Sequence, residues 1–132
     1  VKNHELQNRA VYFGSPQAPL PIDLTPPFAV LLSAHNKYEL LEIQKTTIVL
    51  LEAGCIEFCC VGAEAESLHD LIDGIVEDRG AFDVITTFHL DEADACEYFL
   101  FAVDSDIKSL LALILPHPSL VAMLREEIER EG

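Results

Sequence analysis

The chain has 132 residues, 50% of them hydrophobic and 23% charged, the size and balance of one compact domain rather than two. A fold of this length removes roughly two-thirds of the unfolded chain's surface from water, enough to stand without disulfides or a structural metal. Its 23 acidic against 8 basic side chains give a net charge of −15, which excludes a nucleic-acid backbone or an anionic membrane surface as a direct partner, because both need clustered Lys and Arg.

The charge is uneven. Residues 46 to 107 hold fifteen Asp or Glu and a single base, Arg79, while the rest of the chain is nearly neutral. Such a surface keeps a small protein soluble and also steers a basic partner; adaptation to a salt-rich host produces the same balance. No stretch approaches the roughly 18–20 uninterrupted apolar residues of a membrane span. The start, Val1-Lys2-Asn3-His4-Glu5, lacks the basic-then-apolar order of a secretory signal, so the expected setting is the cytoplasm.

Residues 1–27 read as an extended, proline-rich N-terminal arm, and residues 28–132 as a single α/β domain. Five of the seven prolines fall between residues 14 and 27; each fixes φ and removes a backbone donor. Leu20, Ile22 and Leu24 alternate with Pro21 and Asp23, which suits an apolar strap laid over the domain. Pro16-x-x-Pro19 has no aromatic or basic flank, so a structural arm is expected rather than a proline-motif ligand.

The run Phe28 to Ser33 has almost no polar interruption and reads as a strand covered on both faces. Asn36 with Glu39 three positions on has the form of a capping box, with the Asn side chain accepting from the first free amides and the Glu reaching back. A helix then runs to about Ala53, burying Leu40, Leu41, Ile48 and Leu51, and Gly54 ends it. A second buried strand follows over Cys55 to Val61. Three of the four cysteines lie in it, and Cys59 and Cys60 diverge to opposite faces, so Cys55, Cys59, Cys60 and Cys96 are expected to be reduced packing residues. Cys-x3-Cys-Cys along a strand is not a zinc knuckle spacing either.

Ser67 with Asp70 opens the clearest amphipathic helix, in which Leu68, Leu71, Ile72, Ile75 and Val76 form one apolar stripe closed by Gly80. The third strand is predicted over Asp83 to His89. Glu97 to Val103, rich in aromatics, reads as a fourth strand, and the short link from the third requires an antiparallel hairpin. Residues 106 to 115 and 118 to 130 read as two helical pieces split by Pro116-His117-Pro118, the second burying Leu120, Val121, Leu124 and Ile128. The result is a three-layer, Rossmann-like α/β fold: three parallel strands plus an antiparallel edge strand, with helices on both faces. With the strands numbered in the order just given, 2-1-3-4 and 3-2-1 with the fourth outside the third both satisfy the pattern.

Ligands of such sheets bind beyond the carboxyl ends of the strands, which points to His35 after the first strand and to Thr87, His89, Asp91 and Glu92 at the end of the third. His35 and His89 with Asp91 or Glu92 have the donor set of a two-histidine, one-carboxylate metal site or of a general acid-base pair. His4, His69 and His117 read as surface or structural residues. Gly-x-Gly-x-x-Gly, a phosphate-binding Gly-x4-Gly-Lys-Ser/Thr and the Gly-x-Ser-x-Gly elbow are all absent from the sequence. Asp91-Glu92-Ala93-Asp94 spells a helicase box, a coincidence of an acidic turn. Cys96 lies among acids that raise its pKa rather than activate it. No catalytic residue, metal or cofactor is assigned.

Gly54-Cys55 opening a buried strand, Ile85-Thr86-Thr87-Phe88-His89 followed by Asp91-Glu92, the run Tyr98 to Ala102 and His117-Pro118 together resemble an uncharacterised family of small bacterial α/β proteins. Pro26-Pro27-Phe28 leading into Ala29 to Leu32 is similar too, so the resemblance covers roughly residues 11 to 128. Phe88 departs from it, standing where such proteins tend to carry Trp. The family has no established activity to transfer; the resemblance implies a bacterial cytoplasmic protein and draws attention to Thr86 to Glu92. Two functions follow as expectations. The first is a non-catalytic acidic module that binds a basic protein, or itself as a homodimer through the Glu97 to Val103 edge. The alternative is a small-molecule or metal-binding protein, hydrolytic or not, with its site at the strand ends.

Overall fold

The computed structural model describes residues 3–131; Val1, Lys2 and Gly132, which belong to the expected arm and domain, lie outside the described residues. The chain opens with β1 (Asn3–Leu6) and β2 (Arg9–Phe13), an antiparallel pair. They are joined through Gln7 and Asn8, both at positive φ (51° and 70°), the turn geometry whose twist matches that of the flanking strands. The arm expected over residues 1–27 is therefore corrected for residues 3–13, which are strands of the main sheet. The cause is visible in β2, where Val11 and Phe13 join the core on one face and Tyr12 on the other. The proline-rich stretch then crosses the surface without regular structure. Thr46 Oγ1 on the first helix donates to Pro16 O (3.1 Å) and Tyr12 OH to Asp23 O (3.2 Å). Leu20 and Leu24 pack on the core while Ile22 remains in solvent.

Then come β3 (Phe28–Ser33), α1 (Lys37–Ala53), β4 (Cys55–Val61), α2 (Ala65–Asp78) and β5 (Ile85–His89). They are followed by α3 (Glu92–Glu97), a π-helical turn (Tyr98–Ala102), β6 (Ser109–Leu113) and α4 (Pro118–Glu131). The six strands form one sheet in the order β1-β2-β6-β3-β4-β5, parallel at every pair except β1-β2. The fold is α/β, and of the two arrangements open to the sequence β3, β4 and β5 adopt the one in which they lie side by side in chain order.

Every residue of β3 is buried, and successive side chains go to opposite faces. Ala29 and Leu31 join a cluster with Phe99 and Leu100 of the π-helical turn and Leu120 and Leu124 of α4. Phe28, Val30 and Leu32 join another with Ile43 and Leu50 of α1 and Leu68 and Ile72 of α2. In β4 the register slips by one, Phe28 pairing Cys55 but Ala29 pairing Glu57. The slip turns Glu57 to the same side as Cys59 and Val61, under the π-helical turn.

Two predicted elements exchange identities. Glu97 to Ala102 is helical, not part of an antiparallel strand over Glu97 to Val103, so no hairpin with β5 forms and no edge for self-pairing exists there. Ala95, Cys96, Phe99, Leu100 and Val103 are buried, a helical spacing hidden inside an aromatic run that also satisfies strand propensity. Residues 109–113 form a strand where a helix was expected. Ser-Leu-Leu-Ala-Leu has good helix formers, but between β2 and β3 it is buried at all five positions, and tertiary context overrides propensity. In α1 the fully buried stripe is Ile43, Thr47 and Leu50; of the expected set Leu40 and Leu51 pack half-buried at its margin, while Leu41 is exposed. Apolar residues surround this helix, so the pattern alone selects no face. Thr47 enters the core with its hydroxyl donating to Ile43 O (2.9 Å).

Candidate functional site

After β3 the chain goes to α1 and on to β4, on one side; β6 reaches the other side of β3 only after the excursion through α3 and the π-helical turn. The strands β3 and β6 are neighbours whose following helices diverge, which makes their carboxyl ends the switch point of the sheet, where such folds leave a crevice. A cleft of about 570 Å³ lies there, lined by side chains from the β3–α1 turn, the β6–α4 turn and the start of α3.

Local rules place its polar groups. Asn36 caps α1 by accepting from Glu39 N–H (2.9 Å), and Glu39 Oε1 accepts from His35 N–H (2.8 Å). That leaves Oε2, which meets His117 Nε2 at 3.0 Å. His117 is itself held at the start of α4, its carbonyl accepting from Leu120 and Val121 N–H and its own N–H donating to Ile114 O. On β3, Ser33 Oγ lies 3.0 Å from His35 Nε2, and the rings of His35 and His117 sit 4.5 Å apart at 41°. The four groups form one chain: Ser33, His35, His117, Glu39. Gly62 brings the β4–α2 turn against this loop. Its φ is 106°, and a Cβ there would stand 2.4 Å from Ala34 O, so only glycine fits.

A carboxylate only accepts hydrogen bonds, so the contact with Glu39 makes His117 Nε2 the N–H and leaves Nδ1 as the basic nitrogen of the neutral ring. Ser33 is 3% exposed and meets the ring rather than solvent. The acid in this chain contacts the other histidine, so it is not a serine-histidine-acid triad. Glu39, Glu42 and Glu92 line the cleft, and among the described residues no Lys or Arg does.

Of the sequence-predicted site residues, the structure brings His35 and Glu92 to this cleft. Thr87 and His89 belong to a separate group. Ser33 and His89 flank Val61 from opposite sides, two strand spacings or about 10 Å apart, and the His35 ring is turned to His117. Thr87 Oγ1 lies 3.1 Å from His89 Nε2. The His89 ring packs 4.9 Å from that of Tyr98, whose hydroxyl donates to Glu57 Oε2 at 2.6 Å. Burial lowers the His89 pKa, against an opposing pull from Asp94. Asp91 is exposed at the start of α3 and makes no side-chain cap. The proposed two-histidine, one-carboxylate arrangement does not assemble: among the described residues no group of three or more His, Cys, Asp or Glu is placed to hold a metal ion.

His117 and Glu39 are the residues that sequence reasoning missed as site components. The signal for His117 was a histidine in the turn that follows a buried run, and it is read only once residues 109–113 are recognised as a strand; the second contact of Glu39 leaves no mark in the sequence.

An open α/β sheet with a histidine-carboxylate cleft at its switch point is the class these observations define. Within it, the chain belongs to the DUF7684 family, a domain of unknown function, whose family model matches residues 9–130. No curated protein and no solved structure matches it. Among the described residues no helix is long and apolar enough to cross a membrane.

Proposed function

We propose that the protein binds a small polar molecule in the switch-point cleft and acts on it by general acid-base chemistry. One observation carries this reading: β3 and β6 each deliver a histidine to the same point, the rings 4.5 Å apart and each engaged at Nε2. With Nε2 of His117 committed to Glu39, its Nδ1 is the base. His35, whose Nε2 shares a hydrogen bond with the Ser33 hydroxyl, is the partner that delivers the proton. Two rings side by side at one crevice, each tethered at Nε2, are the elements of proton transfer to and from a bound substrate. A cytoplasmic setting goes with this reading, supported by four buried free thiols. The test is a ligand-observed NMR screen of neutral, cationic and anionic fragments, repeated on His117→Asn. Fragments that shift the His35 and His117 ring signals and are lost in the variant support the reading; a screen without any such fragment refutes it.

A specific observation also favours the acidic interaction module. β5 is an edge strand of the sheet, and Phe82, Ile85, Phe88 and Leu90 stand exposed along it among Asp83, Asp91 and the acids of α2. The occupant that fits is a basic extended segment of another protein, added as a strand. Two copies of a chain of charge −15 repel each other, which weighs against self-pairing. Binding of a Lys-rich strand peptide that weakens steeply with salt and is lost in Phe88→Lys supports this second reading; salt-independent binding counts against it.

A further inference from the structure

The histidine cleft does not end at its acidic wall. It shares Pro16, Gln17, Tyr38 and Glu42 with a second groove of about 730 Å³ that runs between residues 16–20 and the outer face of α1. That helix face faces solvent and is the wrong composition for it: Tyr38, Leu41 and Val49 are 72%, 65% and 52% exposed. With Lys45 they follow the i, i+3, i+7, i+11 spacing of one stripe. The opposite wall, Pro16 to Leu20, is stiffened by its prolines and fastened to α1 through Thr46 Oγ1 and Pro16 O at 3.1 Å. The groove is thus formed in advance, so a ligand does not have to order it.

We propose that the ligand of the switch-point cleft is a small amphipathic amine. Its cationic head sits beside Glu39, Glu42 and Glu92, and its apolar tail lies along the groove over Leu41 and Val49. The inference rests on the small-molecule reading above and names the substrate class. The charge of the head follows from a cleft with three carboxylates and, among the described residues, no Lys or Arg in its lining. The tail follows from continuity, since a chain leaving the head site past Tyr38 enters an apolar channel that shares its lining. From Tyr38 to Val49 the stripe is about 16 Å long, room for an alkyl or aromatic tail rather than a compact metabolite.

The experiment compares propylamine, hexylamine, hexanol and hexanoate at constant moderate salt, following the ring signals of His35 and His117 and the methyl signals of Leu41 and Val49. A fully buried methylene strengthens binding about fourfold. In a groove that covers roughly half of the chain the gain is about twofold each, so hexylamine is expected to bind about eightfold tighter than propylamine and to shift all four residues. Hexanoate should bind at least tenfold more weakly than hexylamine. In the double variant Leu41→Ser, Val49→Ser, both sites being on the surface, the two amines should bind alike. Equal affinity of the two amines for the native protein, or hexanoate binding as tightly as hexylamine, overturns the proposal; propylamine shifting the histidines leaves the small-molecule reading intact. Hexylamine that moves Leu41 without moving either histidine also overturns it. If none of the four compounds reaches the histidines the amine assignment falls, and the broader fragment screen decides separately whether the cleft binds another class.

Discussion

The contact between Tyr98 and Glu57 joins residues 41 apart in sequence and pins the π-helical turn to β4. Glu57 is 3% exposed, and the phenol at 2.6 Å is the side-chain donor that meets its carboxylate. Burial, reinforced by that carboxylate, pushes the Tyr98 pKa up, so the hydroxyl stays a donor throughout the working pH range. Tyr98→Phe keeps the ring against His89 and removes only the donor. A hydrogen bond to a charged group contributes about 1.5–3 kcal/mol net, and here water has little access to replace it, so a loss of about 2–3 kcal/mol is expected. With a urea slope of about 2 kcal/mol per molar, the unfolding midpoint should fall by about 1–1.5 M. The chain has no Trp, so far-UV circular dichroism is the readout. Glu57→Gln retains an acceptor for the phenol and should cost less, and the cycle with both changes should give a coupling of at least about 1 kcal/mol. A loss under about 0.5 kcal/mol, or no coupling, would show that apolar packing of Phe99 and Leu100 alone holds the turn and that this account of it is wrong.

Three further outcomes are expected. His89 has a folded-state pKa lowered by burial from the ordinary 6.5, so the folded chain binds that proton more weakly than the unfolded one. The corresponding stability is whole above about pH 6.5 and is lost as pH falls through the folded value. Urea midpoints at pH 7.5 and 5 should therefore fall further in the native protein than in His89→Gln, and an equal fall would contradict the assignment. Gly62→Ala forces a side chain to φ 106° with its Cβ against Ala34 O. It should cost about 2 kcal/mol or more and shift the His35 signals, whereas a neutral substitution would mean the two turns are not packed as described. All four thiols are buried and free, with burial the main cause pushing Cys96 up to about 12. A disulfide reagent at pH 8 should label none of them promptly in the native protein and all four in denaturant; rapid native labelling of any one would refute their burial.

Where one physical signal dominated, the fold was legible in the sequence. Phe28–Ser33 and Cys55–Val61 are apolar at almost every position, as strands covered on both faces must be, and α2 and α4 carry an apolar stripe that only a helix can bury. The failures fall where two signals point to different answers. Tyr98-Phe99-Leu100-Phe101 satisfies strand propensity and helical burial at once, and the buried set from Ala95 to Val103 decides for the helix only when the partner face is known. Ser109 to Leu113 is a helix former by composition and a central strand by position. Arg9 to Phe13 was lost behind the prolines that follow it, although Val11, Tyr12 and Phe13 already had the two-faced apolar character of an interior strand.

Those errors of secondary structure determined what could be seen of the site. The rule that ligands gather beyond strand ends pointed to His35, which lines the cleft, but a switch point is a relation between two adjacent strands, and one of the pair had been read as a helix. With β6 missing, the nearest histidine at a recognised strand end was His89, and it was joined to His35 across β4 although both point elsewhere. Once β6 is placed beside β3, His117 becomes the counterpart of His35 by the same rule, and Glu39, read only as a capping residue, acquires a second contact through its free oxygen. One carboxylate thereby both holds the turn leading into α1, through His35 N–H, and meets the histidine across the cleft. Glu39→Gln would leave an amide able to keep the first of these contacts, while its amide group could take His117 Nε2 as acceptor and so reverse the tautomer. The turn contact and the proposed acid-base role are therefore separable by experiment at a single position, helix stability reporting the one and the nitrogen-15 shifts of the His117 ring the other.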